Sequence, residues 1–215
     1  MQDVSFIFEI AVLVFSVVIH EVSHGYSAEL LGDPTARLAG RLTLNPMRHL
    51  DPFGSVILPG FLALTNSAIL FGWARPVPYN PYNLRNAKWG PGIVALSGPL
   101  ANIAIALLFV CIVRLGILEG SLLRMASLII FMNLILAFFN LIPIPPLDGF
   151  KVLSSVAPYR YYRYFSSLEE FSFRYGLIFL VVALFIFWKY IAPIFSLFIS
   201  FLFDLLTGYP ITTII

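Results

Sequence analysis

Long apolar runs separated by short polar stretches divide this chain into predicted membrane elements. Ser5–Leu31 is apolar for long enough to cross a bilayer and emerge, and it stops at Gly32-Asp33-Pro34. Ile93–Leu115 and Leu122–Ile142 are each about 20 residues and read as spans. Gly54–Phe71 is also apolar, but Pro59-Gly60 and Thr65-Asn66-Ser67 interrupt it. Gly176–Phe187 runs into Trp188-Lys189-Tyr190, an interfacial cluster. Pro193–Leu206 is a sixth, shorter segment that crosses, lies in the interface or returns.

Two polar regions have a pattern of their own. In Thr35–Arg48, Arg37, Arg41 and Thr43 alternate with Leu38, Leu42 and Leu44, which predicts short β-structure rather than helix. Trp73–Pro91 holds four prolines and three asparagines and reads as extended or turning backbone. The expected fold is an all-α multi-pass membrane protein with five to six transmembrane or re-entrant segments and a small β-like insertion after the first helix. No internal repeat is visible. We expect one membrane-embedded domain over 1–215, with a core at 5–151 and C-terminal helices at 176–207.

Composition sharpens this reading. The chain is 60% hydrophobic and 11% charged, against about 25% charged in ordinary soluble domains, and its mean hydropathy is +0.91. A soluble globule is excluded, and a net charge of +2 gives no reason to expect nucleic acid. Cys111 is the single cysteine and lies in an apolar run, so it forms neither an internal disulfide nor a cysteine zinc site. Met1-Gln2-Asp3 lacks the basic start of a signal peptide, so the first helix is expected to be retained.

Candidate chemistry lies inside that first helix. His20-Glu21-Val22-Ser23-His24 is an H-E-x-x-H motif. Histidines four apart share a helical face and can share one metal ion, and the intervening glutamate is placed to act as a general base. Three ionisable side chains at this depth cost several kcal/mol unless they are partnered. The competing reading is that they only join neighbouring helices.

A catalytic zinc takes three protein ligands and a water. Candidates for the third are Glu29, Asp33, His49, Asp51 and Asp148. Glu29 is five residues past His24 and points away from the histidine face, while Asp33, His49 and Asp51 occupy polar loops. Asp148 follows a helix broken by Pro143, Pro145 and Pro146 and precedes Gly149. Irregular backbone at membrane depth occurs where it is buried in protein or lines a polar cavity. From the residues alone, the choice among these stays open.

His20-Glu21-x-x-His24 in a membrane helix, Gly98-Pro99-Leu100-Ala101-Asn102 opening a later one, and Asn140…Pro143…Pro145…Leu147-Asp148-Gly149 together resemble the site-2 protease family of intramembrane zinc metalloproteases. The likeness runs in order from about Ser5 to Lys151, and with no room for a PDZ insertion it fits the short, PDZ-free subgroup. The resemblance implies one Zn2+ per chain, Asp148 as third ligand and Glu21 as general base. It also implies that Asn102 and Asn140 steady the substrate backbone or the oxyanion; alternatively, they bond helix to helix.

The topology can be argued from depth. With a helix entering near Ser5, His20 lies ~22 Å along it at ~1.5 Å per residue, in the far half of a ~30 Å core. Asp148 lies past the end of Leu122–Ile142, so that helix must run in the same direction as the first. This holds if Gly54–Phe71 is re-entrant and fails if it crosses. With a re-entrant segment, ten of the basic residues (Arg37, Arg41, Arg48, Arg75, Arg85, Lys88, Lys151, Arg160, Arg163, Arg174) share one side, against Arg114, Arg124 and Lys189 on the other. A full crossing splits them seven to five, leaving Lys189 aside. The positive-inside rule favours the first arrangement. We therefore expect a multi-pass protein of the cell membrane with its site nearer the cytoplasmic face.

The expected activity is hydrolysis of peptide bonds in transmembrane, membrane-associated or signal-peptide-like polypeptides at the bilayer. Thr35–Arg48 offers an edge for an unwound substrate. Arg160-Tyr161-Tyr162-Arg163-Tyr164 reads as a juxtamembrane basic and aromatic belt. The main rival is a membrane metal-binding or transport protein with His20, His24 and Asp148 as a transit site; a carrier has no need of Glu21 as a base. Substrate identity, pathway and oligomeric state have no signature in the sequence.

Overall fold

The computed structural model describes residues 2–51, 75–176, 179, 182 and 185–211. Among these, helices account for nearly all regular structure and no strand occurs. In chain order the α-helices are α1 (Gln2–Leu30), the single turn α2 (Thr35–Leu38), α3 (Gly90–Arg114), α4 (Gly120–Asn140), α5 (Asp148–Val156), α6 (Tyr162–Arg174) and α7 (Ala192–Thr207). Among the described residues, four helical stretches are long and apolar enough to cross a membrane: Phe6–Leu30, Gly90–Arg114, Gly120–Asn140 and Lys189–Thr207. This is a multi-pass membrane protein.

The predicted apolar runs at Ser5–Leu31, Ile93–Leu115, Leu122–Ile142 and Pro193–Leu206 correspond to helices, because backbone polar groups in hydrocarbon must bond within their own segment. Their ends follow local chemistry. After α1, the Gly32 N–H donates to Glu29 O and the Asp33 N–H to Ala28 O, both 2.9 Å. This closure needs a left-handed residue, which Gly32 supplies at φ 109°. Pro193 sits in the first turn of α7, where its missing N–H has no partner to lose, and Gly208 at φ 79° closes the other end. The sixth apolar segment, whose course the sequence left open, is thus one helix, entered through a π-helical turn at Phe187–Ile191. Gly176–Phe187 is only partly within the described residues.

Side-chain contacts fix the helix directions. His24 meets Val94, while His20 and Ser16 meet Asn102, so α1 and α3 are antiparallel. Asn133 of α4 meets Ser16, and Asp148, beyond the end of α4, meets His20, so α4 runs with α1. That is the direction the depth argument required. Gly54–Phe71 lies outside the described residues. Its flanks, however, adjoin: the Arg75 N–H donates to His49 O at 2.8 Å.

At the end of the bundle away from the histidines, α3, α4 and α7 pack through Val110, Val113, Ala126, Ile130, Ile199 and Phe203. Arg114, the last residue of α3, donates to the closing carbonyls of α7, through Nε to Leu206 O (2.7 Å) and Nη2 to Leu205 O (2.8 Å). A cation at a helix C-terminus satisfies carbonyls that the helix cannot.

The β-like insertion is corrected. Thr35–Arg48 forms the turn α2, a short non-repetitive stretch and a 3-10 turn at Pro46–Arg48. The alternation misled because it does not follow burial. Leu38 and Leu44 are 78% and 58% exposed, whereas Arg41 is only 7% exposed. Its Nη2 donates to Arg75 O (2.6 Å) and Pro76 O (3.3 Å). A guanidinium serving backbone carbonyls is stable inside, which hydropathy alone does not register.

Candidate metal centre

The centre is built between α1, α3 and the start of α5. One helical turn separates His20 from His24, so their rings lie together, 4.7 Å apart and edge to face. Asp148 is the first residue of α5. Its Oδ2 lies 3.0 Å from His20 Nε2 and 3.2 Å from His24 Nε2. These three ligand atoms all lie within 4.8 Å of one another, and they are the group of this kind found among the described residues.

Each histidine is fixed from behind. His20 Nδ1 donates to Asn102 Oδ1 (2.6 Å) and His24 Nδ1 donates to the Val94 carbonyl (2.7 Å). A neutral imidazole carries one N–H, so both Nε2 atoms present lone pairs towards the carboxylate. Three acceptors then face one another with no hydrogen between them. Such a set repels itself unless a cation sits among them, and bonds of ~2 Å to each donor match this spacing. The residues therefore fit a zinc ion, in the common arrangement where a ligating histidine gives its other N–H to a carbonyl or carboxamide.

The approach of α3 depends on Gly98. A Cβ there would stand 2.6 Å from His24 Cε1 and Nε2 and 2.7 Å from His20 Cε1. Any side chain would push the rings out of place. The next residue, Pro99, has no N–H for the carbonyl of Ala95, and Ala95 lies on the cavity wall. Gly149 plays the same part on the other side, where a Cβ would collide with the Leu141 carbonyl.

A cavity of about 180 Å3 opens onto the three ligand atoms, with Glu21, Tyr79, Asn140 and Lys151 also on its wall. Glu21 Oε2 accepts the Val77 N–H at 2.8 Å, which fixes one carboxylate oxygen and leaves the other available. Lys151 lies with its Nζ 5.3 Å from the Tyr79 ring centroid.

The other candidate ligands are employed elsewhere. Glu29 pairs with Arg37 at 2.6 Å. Asp33 is fully buried and accepts from the Thr35 hydroxyl and N–H, the Asn80 N–H and Asn83 Nδ2. Burial alone pushes its carboxyl up, but those four bonds outweigh this and hold it below the ordinary carboxylate range. His49 Nε2 donates to Thr43 O at 2.8 Å. Asp51 is not in the cluster.

The two asparagines separate. Asn140 is on the cavity wall, with Nδ2 donating to Leu136 O of its own helix. Asn102 has no exposed surface, and its amide bonds to His20, Ser16 and Asn133, contacts of the helix-to-helix kind held as the alternative. Sequence reasoning passed over Ser16, Asn133 and Val77, and named Gly98 only as a motif position. Asn133 had a usable signal, since a carboxamide in the middle of a span demands partners.

Two histidines, a carboxylate and a neighbouring glutamate, assembled between membrane-spanning helices, define a membrane protein with a candidate hydrolytic metal centre. The chain belongs to peptidase family M50, the site-2 protease family, whose family model matches residues 115–183. It is 36% identical over 155 residues to the "Putative zinc metalloprotease YwhC" of Bacillus subtilis, covering 68% of this chain and 67% of that protein. It is 31% identical over 150 residues to the "Putative zinc metalloprotease Rip2" of Mycobacterium tuberculosis, covering 69% of this chain and 56% of that protein. The chain thus spans about two thirds of one relative and little more than half of the other. No solved structure matches it.

Proposed function

We propose that this chain is an intramembrane zinc metalloprotease that hydrolyses peptide bonds of transmembrane or membrane-associated polypeptides. One observation carries the reading: His20 Nε2, His24 Nε2 and Asp148 Oδ2 converge as lone-pair donors, with each imidazole Nδ1 already committed.

His20, His24 and Asp148 would hold one Zn2+. When bound, zinc polarises the scissile carbonyl and acidifies water. Glu21 supplies the proton transfers. With Oε2 held by Val77, its Oε1 takes a proton from the attacking water as the water oxygen bonds to the carbonyl carbon. Glu21 then passes that proton to the departing amide nitrogen as the C–N bond breaks. Asn140, on the same wall, is placed to hold the substrate backbone. Tyr79 and Lys151 border the route by which water and an unwound segment arrive.

The basic residues of the loops at the metal end support a cytoplasmic-facing site by the positive-inside rule. The carrier alternative gains nothing from the structure, because among the described residues no second cluster marks a transit path.

The test is Glu21→Gln in purified protein, assayed for zinc by mass spectrometry and for cleavage of a single-span reporter. Zinc should stay at one per chain while cleavage falls by roughly 10²–10⁴-fold, the usual share of a general base. Unchanged cleavage by Glu21→Gln would sink the proposal. Membrane proteomics of a strain carrying this variant would then show which single-span proteins accumulate.

A further inference from the structure

We propose that Asn133, in the middle of α4, is a positioning residue that fixes the tautomer of His20 through Asn102 and so sets the affinity of the centre for zinc. The inference rests on the metal reading above and concerns a residue that touches neither the ligand atoms nor the cavity.

The hydrogen-bond directions are forced. Asn133 Nδ2 donates to Ile129 O and to Ser16 Oγ, both 2.9 Å. A backbone carbonyl can only accept, so the amide of Asn133 has one orientation, with Oδ1 turned to Asn102. Asn102 Nδ2 donates to that oxygen (2.8 Å) and to the Ser16 carbonyl (3.2 Å). Asn102 must therefore turn its own Oδ1 to His20 Nδ1, 2.6 Å away. Only an imidazole with its hydrogen on Nδ1 satisfies that contact, and it leaves the Nε2 lone pair facing Asp148.

The opposite arrangement shows what is prevented. Were Asn102 turned over, its NH2 group would face His20 Nδ1 and drive the hydrogen to Nε2, where it would point into the cluster. Asn102 Oδ1 would then meet two acceptors, Ser16 O and Asn133 Oδ1. Asn102 and Asn133 have no exposed surface and Ser16 is 4% exposed, so solvent cannot repair the mismatch. Two backbone carbonyls thus set the direction of a hydrogen-bond chain that ends at a metal ligand.

The experiment measures zinc affinity by competition with a chromophoric chelator, in full-length protein, together with the visible spectrum of the Co2+-loaded form. Asn133→Leu should weaken zinc binding by roughly 10–100-fold, as losses behind a ligating histidine do, and change the Co2+ spectrum. Asn133→Asp, which in its protonated form keeps an acceptor for Asn102 and a donor for Ile129, should recover most of the affinity. The double variant Asn102→Leu/Asn133→Leu should bind zinc no more weakly than Asn102→Leu alone, because Asn133 acts through Asn102. Additive losses, or wild-type affinity in Asn133→Leu, would overturn the proposal. If Asn133→Leu does not fold, Asn133→Ala takes its place in the same comparison, and wild-type affinity and spectrum there would also overturn the proposal. Failure of the metal reading is distinct, since the wild-type chain would then bind no stoichiometric zinc.

Discussion

The two ends of the bundle share helices α3 and α4 but are held together by different physics. At one end Val110, Val113, Ile130 and Phe203 interlock with only apolar surface. At the other, His20, Asn102, Asn133 and Ser16 join the same helices through polar contacts of 2.6 to 3.2 Å. Lipid is as apolar as leucine, so the first end gains from close packing rather than from escape from water. The second end gains from directed hydrogen bonds and has little tolerance for misalignment. Packing sets how firmly the helices associate, and the polar ladder sets where individual atoms point.

Substitutions that separate those roles can break the comparison. The largest effect is expected from Gly98→Ala. The added methyl must displace the imidazoles of His20 and His24, so zinc affinity and cleavage should each fall at least about tenfold, with a stability loss of about 1–3 kcal/mol from overpacking. Zinc titration and reporter cleavage measure the first, and detergent unfolding measures the second. Normal zinc binding in Gly98→Ala would mean that helix spacing does not govern the centre.

Phe203→Ala should do the reverse. Phe203 is fully buried and meets Phe131 edge to face, 6.3 Å between centroids. Removing it leaves a cavity, for which a loss of about 1–3 kcal/mol is expected, smaller than in a water-soluble core because the transfer contribution is absent. Zinc stoichiometry should stay at one per chain. Loss of zinc in this variant would show that the two ends are not independent.

The smallest effect sharpens the loop side of the metal end. Asp33 is held below the ordinary carboxylate value of 3.8 by its four bonds. Its contribution to stability is therefore complete above about pH 4 and is lost as pH falls through the lowered folded value. Asp33→Asn should melt lower than wild type at neutral pH, and that gap should close on acidification below pH 4. A constant gap between pH 3 and pH 7 would remove the carboxylate from this account.

What the sequence disclosed differs between these regions for the same reason. Apolar runs announce membrane helices because hydropathy is a local property, and the ends of α1, α3 and α4 fall within a few residues of the expected ones. The candidate cluster was legible because His20 and His24 are one turn apart and Asp148 falls on a motif position of the resemblance. Asn102 was located with both readings held, since nothing local tells whether a carboxamide faces a cavity or a neighbouring helix. Asn133 was missed because its partners, Ser16 and Asn102, are 117 and 31 residues away. The burial of Arg41 had no local sign, because the carbonyls it serves lie more than 30 residues downstream.

His20 and Asp148 are 128 residues apart in the chain. An ion gripped by both would thus be a reversible clasp across most of the polypeptide, its binding free energy adding to that of folding. Chelation should consequently be felt as mechanical loosening: α5 would be freed from α1, and the start of α5 would become newly susceptible to added proteases. Loading with metal would then serve as the last step of assembly, so that a chain arriving without it stays both inert and slack.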